Sequence, residues 1–404
     1  MKREFWRRGF RLVLTVYLAM GFVLFLGSIS GNAEEVRGVS DDTIKVAVVV
    51  ALTGPVAQVS SPFRDGFKNY FNNINERGGI NGRTVRLVVE DDRYSIPVAI
   101  AAFKKIVFRD KVFALFGPSG TGHTAALFKS IQRNKIPTLT QSTSETIVKP
   151  FKRYLFTTAA SYQDQFKVIF DYIAKDLKVR DPKVAYVGAD NEFGKVGLRA
   201  SIKRAKRYGI DLHSEVLNFG SLDATTQVLS LKRYKSNIVI INQSVSTGTV
   251  FLRDARKYAF SAIFIITDVG CEGPTLRKAG ESARGLLGAS NLNPWHVDTP
   301  GMIKLRKTVL KYKPKVELIP RTYVHGWVSA MVLTEGLKSA GRNLNEDGLI
   351  RAMESIRGLD TNGISGLVSY SSNNHKGGEY YRLLKADMEK KVFRPITEWR
   401  KPAR

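Results

Sequence analysis

The run Ile44–Leu52 (IKVAVVVAL) constrains this chain more than any other feature. It is β-branched and almost continuously apolar, so a strand made from it needs cover on both faces. That is the condition of a strand inside a parallel sheet with helices on either side. Thr53-Gly-Pro55 ends the run, and Pro62–Arg77 follows with Phe63, Phe67, Tyr70, Phe71 and Ile74 on one helical face. Gly78-Gly79 and Asn81-Gly82 then punctuate the chain before a second strand, Thr84–Val89. The alternation continues with a helix over Pro97–Arg109, a strand over Val112–Phe116, a helix over Gly122–Asn134 and a strand over Ile136–Thr140. Strand and helix alternating at this spacing predict an α/β fold.

The rhythm restarts after Tyr154. Tyr162–Asp176, Gly194–Tyr208 and Thr247–Tyr258 read as helices, between strands at Val184–Val187, Leu212–Leu217, Ile238–Ile241 and Ile263–Ile266. Beyond Gly288 the pattern predicts helices over about 299–312, 322–340 and 345–357, then strands at 366–370, 379–385 and 393–398. The 404 residues suffice for two such lobes, and no Pro- or Ser-rich linker separates them. Short crossovers between the lobes are expected.

The amino terminus carries an address. A basic head (Lys2, Arg3, Arg7, Arg8, Arg11) precedes the apolar stretch Leu12–Gly27, and Gly31 and Ala33 stand at the −3 and −1 positions of a cleavage site. That order is a secretory signal peptide over 1–33, cut after Ala33. The alternative is an anchor kept in the membrane, for which the apolar stretch is short. Cleavage removes five basic and one acidic side chain and lowers the formal charge from +27 to +23. Such a balance would suit a nucleic-acid binder. Here, however, the basic residues are spread along the chain and mixed with acids, as in KRAKR (Lys203–Arg207), so they read as solvated faces. The single cysteine excludes an internal disulfide and a Cys-based metal site, and no two His residues stand at ligand spacing. No metal or cofactor is expected.

Gly120-Thr-Gly122-His-Thr-Ala125 matches G-x-G-x-x-A, but it follows the third strand and lacks a ribose-holding acid at the end of the next one. A simpler use is open to it. Helix-start amides and the Thr121 hydroxyl can hold a carboxylate, and Gln141-Ser-Thr-Ser144 places more hydroxyls at the same sheet edge. Each turn could equally cap its own helix. His123 reads as a surface or capping residue. No nucleophile elbow, P-loop or H-E-x-x-H motif occurs, so an enzyme is not expected.

Several segments together resemble the branched-chain amino-acid-binding periplasmic proteins, the leucine/isoleucine/valine receptors of ABC importers. They are Ile44-Lys-Val-Ala-Val with Thr53-Gly-Pro55, Ile74-Asn-Glu-Arg-Gly-Gly-Ile-Asn-Gly82, VVEDD (Val88–Asp92), Phe116-Gly-Pro-Ser and Asn191-Glu-Phe-Gly194. The resemblance covers most of residues 41–400 and is strongest before 145. It implies a type I periplasmic-binding-protein fold of two Rossmann-like lobes around a hinged cleft. Lobe 1 would comprise 41–160 plus about 291–378, and lobe 2 would comprise 161–290 plus about 379–404. It implies a monomeric periplasmic protein that delivers an amino acid or similar small polar ligand to an ABC permease. The matching positions give Thr121, Thr143 and Ser144 as carboxylate partners, Phe193 and Tyr162 as aromatic walls, and Asp268 as the ammonium partner, with Glu272 as its rival. Tyr94 and Gly120 stand where the family's disulfide cysteines would be, and Gln243-Ser-Val-Ser246 replaces a second aromatic. Relatives also bind amides, urea or aromatic acids, so those ligands stay open.

Overall fold

Thr43–Val50 (β1) pairs in parallel with Thr84–Asp91 (β2) on one side and Ala114–Phe116 (β3) on the other. Thr138–Leu139 (β4) and Leu155–Phe156 (β5) complete a five-stranded parallel sheet in the order β2-β1-β3-β4-β5. A second sheet holds Lys183–Gly188 (β6), Asp211–Val216 (β7), Ile238–Asn242 (β8), Ile263–Ile266 (β9), Leu287–Ser290 (β10), Arg382–Asp387 (β11) and Val392–Pro395 (β12). Its order is β12-β11-β10-β9-β8-β6-β7. Strands β6 to β10 run parallel, and β11 and β12 are added antiparallel at one edge. This computed structural model describes residues 36–403. The expected signal peptide, 1–33, lies outside the described residues. Among those residues no helix is long and apolar enough to cross a membrane.

The strand residues explain why both sheet faces are covered. In β6 and β8, Val184, Tyr186, Ile238 and Ile240 point into one apolar cluster with Phe166, Ile169 and Phe170. Their neighbours Ala185, Val187, Val239 and Ile241 point into another, with Phe251, Leu252 and Leu276. The period of two divides each strand between two helical layers. In the first sheet, Phe116 of β3 stacks on Phe63 and Phe67 of the helix Ala57–Asn75, at ring-centroid distances of 4.3 and 3.9 Å. That helix starts before the Pro62 expected to open it. The turn gained forgoes the hydrogen bond that Pro62 cannot donate.

The helix Arg321–Ala340 packs on Ala57–Asn75 so closely that glycine is required on both sides. A Cβ on Gly66 would lie 2.0 Å from the Tyr323 carbonyl oxygen, and one on Gly326 would lie 2.0 Å from that of Phe63. Helix 321–340 therefore belongs beside the first sheet, although β10 before it and β11 after it belong to the second. The chain crosses between the sheets after β5, after β10 and before β11.

Several sequence expectations change. Residues 366–370 form no strand; Val368 makes an isolated bridge to Leu359 instead. The helix expected over 345–357 is Glu346–Glu354. Thr225–Arg233 is a further helix, and its weak apolar periodicity had hidden it. Within KRAKR, Arg204 is not solvated: it turns inward onto Asp171 (Nε–Oδ1 2.8 Å) and the Ala403 carbonyl (2.8 Å).

The paired glycines carry a prediction. Gly66→Ala or Gly326→Ala should cost about 3 kcal/mol or more, because the added methyl meets main chain and not a movable side chain. Urea denaturation of each variant should show the midpoint fall, and an unchanged midpoint would contradict this packing.

Candidate functional site

Parallel strands send every chain exit to the same edge of a sheet, where helix amino termini also gather. The carboxyl ends of the two sheets face one another here, and the segments leaving them enclose a crevice of about 60 Å³. Beyond β1 to β4 come Val56, Val59, Ser60, Tyr94, Ser119, Gly120, Gln141 and Ser142. Beyond β6 to β9 come Phe193, Phe219, Ser244 and Val269, with Tyr162 between the two groups. None of these lining side chains carries a charge at neutral pH. Valines and aromatic rings make the body of the crevice, and hydroxyls cluster at its first-sheet end.

That polar end is held by the acidic pair of the VVEDD segment. Asp91 accepts the Leu52 amide (2.8 Å) and the Thr53 hydroxyl (2.7 Å), which fixes the turn after β1. Asp92 is fully buried and accepts the amides of Ser119 (2.8 Å) and Tyr94 (2.9 Å). Burial pushes its carboxyl above the usual carboxylate range, against the pull of these bonds. The Ser119 hydroxyl accepts the Ala51 amide at 2.7 Å. The sequence motif thus locks three turns together around Gly120.

Gly120 has φ 79° and precedes the helix Thr121–Arg133, which no side chain caps. Its left-handed conformation suits glycine. A Cβ there would meet the Tyr94 ring at 2.9 Å and His123 Nδ1 at 3.1 Å. The Tyr94 ring therefore packs directly against Gly120. By contrast, Ser144, Ser161, Asn191 and Ser244 each accept an amide of the helix they open. The start of helix 121–133 keeps its first-turn donors for another acceptor. His123 is buried with its ring 4.5 Å from that of Tyr94, so it is not the surface or capping residue expected.

The residues expected from sequence fall into three groups. Tyr162 and Phe193 line the crevice, their rings edge-to-face at 5.0 Å. Phe219 extends this wall, 5.9 Å from Phe193 and 6.3 Å from Tyr94 across the crevice. Thr121 and Thr143 are buried just behind the lining. The Thr121 hydroxyl lies 2.9 Å from that of Ser142, which does line the crevice, while Thr143 Oγ1 has no hydrogen-bond partner. Ser144 turns away to cap the short helix Glu145–Val148 and to meet Thr146 Oγ1 at 2.9 Å. The hydroxyl-rich turn was legible as a unit; which of its members faces inward depends on how the chain bends after β4.

Asp268 is also behind the wall, next to Val269 in sequence and within electrostatic reach of Tyr162. Burial, and after it the charge of Asp268, push the Tyr162 hydroxyl up to about 12. Arg321 Nη2 stands 3.9 Å from Asp268 Oδ2, and the Tyr381 hydroxyl stands 3.4 Å from it. Asp268 Oδ1 is buried with no partner. Glu272 is occupied elsewhere: it accepts the amides of Arg321 (2.8 Å) and Thr322 (3.2 Å) at the start of helix 321–340. Among the described residues no cluster of three or more His, Cys, Asp or Glu side chains could hold a metal ion.

Known proteins resemble this chain in sequence and fold. Residues 43–391 match the family described as periplasmic binding protein. A Leu/Ile/Val-binding protein homolog of Brucella melitensis is 23% identical over 85% of this chain and 91% of its own length. The Leu/Ile/Val-binding protein of Escherichia coli K12 is 27% identical over 61% of this chain and 67% of its own. Among solved structures, a branched-chain amino-acid ABC transporter protein from Thermus thermophilus with bound valine superposes with TM-score 0.84 at 23% identity, covering 90% of this chain and 98% of that one. A fatty-acid ABC transporter substrate-binding protein from Thermomonospora curvata gives 0.81 at 20%, covering 91% and 95%. With the match running through both sheets and every turn that lines the crevice, the chain belongs to the periplasmic binding protein family, in its type I fold.

Proposed function

We propose that this protein is an exported solute-binding component of an ABC importer, which closes its crevice on an aliphatic amino acid or close analogue and presents it to a membrane permease. The observation that carries this reading is a set of unmet polar groups just behind the lining of an apolar crevice, on its first-sheet and second-sheet sides. On the first-sheet side are the uncapped start of helix 121–133 and the orphaned Thr143 hydroxyl. On the second-sheet side is the orphaned oxygen of Asp268. Buried polar atoms without partners are costly, and a zwitterion would satisfy both sides at once. The valines and Phe193 and Phe219 between them suit a branched aliphatic side chain. The named relatives bind Leu, Ile and Val, which agrees with that chemistry.

In this reading, lobe 1 is 41–160 with about 291–378, lobe 2 is 161–290 with about 379–404, and the three crossings are the hinge. Ligand contacts on both lobes would favour the closed arrangement, because only that arrangement meets both charges. The role is binding, with no covalent chemistry. In the same reading it acts as a monomer in the periplasm; the signal-peptide pattern of residues 1–33 and the family support that location. A second reading keeps the carboxylate end and drops the ammonium. The uncharged lining and the fatty-acid-binding structural neighbour favour it.

Titration calorimetry of the purified protein with leucine, isoleucine and valine, beside amides, urea, aromatic acids and fatty acids, decides between the readings. The amino acids should bind, and at a hundredfold excess over Kd each should stabilise the protein by about 2.7 kcal/mol. Binding of plain carboxylates alone would establish the second reading. Asp268→Asn should weaken an amino acid about tenfold or more, and equal affinity would remove Asp268 from the site. Phe193→Ala should likewise weaken it about tenfold, since about 1.4 kcal/mol of lost apolar contact has that effect.

A further inference from the structure

Arg321 is a buried cation whose side chain reaches away from its own helix's packing partner. The body of helix 321–340 rests on helix 57–75 beside the first sheet, yet Arg321 Nε donates to the main-chain carbonyl of Asp268 (3.0 Å), beyond β9 of the second. Its Nη1 donates to Asn291 Oδ1 (3.2 Å), in the crossing after β10. Asn291 Nδ2 in turn donates to the Tyr381 hydroxyl (3.3 Å) in the crossing before β11. That hydroxyl lies 3.2 Å from the carbonyl of Ala160, in the crossing after β5. One guanidinium thus joins the turn that carries Asp268 to all three crossings.

The charges around it do not balance. Asp268 and Glu272 both act on Arg321, so two acids share one guanidinium and the group lacks one positive charge when both are ionised. Asp268 is also faced by Tyr381, by Tyr162 and Gln165 of the helix Tyr162–Lys175, and by Cys271 and Glu272 of its own turn. None of these supplies a cation. Burial raises the Asp268 carboxyl, and the Arg321 charge opposes that rise most strongly. Burial likewise pushes Glu272 up to about 7. Without Arg321 the strongest opposing influence would be gone, and burial would hold the Asp268 carboxyl further toward its protonated form, which has less to offer an ammonium.

We propose that Arg321 is a positioning residue that fixes Asp268 as the receptor for a ligand's ammonium, and so sets the discrimination between amino acids and plain carboxylates. The proposal rests on the amino-acid reading of the crevice. Arg321 does not line the crevice; it stands beside Asp268 Oδ2 and leaves Oδ1 for the missing charge.

The test compares the full protein with Arg321→Met and Arg321→Lys, using leucine and isocaproate (leucine without its amino group) as ligands. Affinities are measured by calorimetry from pH 6 to pH 8.5. In Arg321→Met, leucine should bind at least tenfold more weakly at pH 7 and recover as the pH rises, because Asp268 must first lose a proton. The preference for leucine over isocaproate should fall by a similar factor. Arg321→Lys should restore most of the preference and flatten the pH profile. A loss that is flat with pH and equal for both ligands would mean that Arg321 is merely structural, and would overturn the proposal. If Arg321→Met does not fold, Arg321→Lys decides by itself: a smaller, leucine-selective loss supports the proposal, and an equal loss for both ligands overturns it. Wild-type protein that fails to bind leucine at all would defeat the amino-acid reading together with this one. Leucine binding with an unmoved preference would defeat this one alone.

Discussion

Parallel strand order is the constraint on which the rest depends. It brings the carboxyl ends of β1 to β5 and of β6 to β10, with the segments that follow them, to one edge of each sheet, and the two edges face each other. The crevice is therefore lined by turns and by the first residues of the helices that follow them, such as Val59, Ser60, Tyr162 and Phe193. Its polarity is set by which helix starts are capped. Ser144, Ser161, Asn191 and Ser244 consume their own helices' donors. Gly120 cannot, and so the anion-attracting end of one dipole stays available.

Stability and binding share residues here. Asp92 is buried for the sake of the turns bearing Ser119 and Tyr94, and Tyr94 in turn packs on Gly120. The row Tyr94, Phe219, Phe193 and Tyr162 then carries apolar contact from one side of the crevice to the other. A guest between them would lose water on its apolar surface as well as at its charged ends.

The fold was largely legible because continuous β-branched strands and one-faced helices are local signals. Ile44–Leu52 and Ile238–Ile241 declare burial on both faces before any contact is known. The site was legible at the level of turns and less so at the level of side chains. Phe193 and Tyr162 follow strand and crossing directly, and both line the crevice. Ser142 was overlooked in favour of Thr143 and Ser144, since the bend that aims it depends on the Thr140 hydroxyl bonding the Ser142 carbonyl at 2.6 Å. Tyr94 and Phe219 lie in irregular segments with no periodicity to place them. Arg321 could not have been read at all: its partners are 30 to 53 residues away in sequence, and an arginine at a helix start looks like a surface residue until the crossings are folded around it.

A crystal structure of the protein grown with leucine bears most directly on the central claim. The account predicts the carboxylate at the first-turn amides of helix 121–133 and the Ser142 hydroxyl, the isobutyl group against Phe193 and Phe219, and the ammonium toward Asp268 Oδ1. Leucine bound outside this crevice, or bound with its ends reversed, would contradict it.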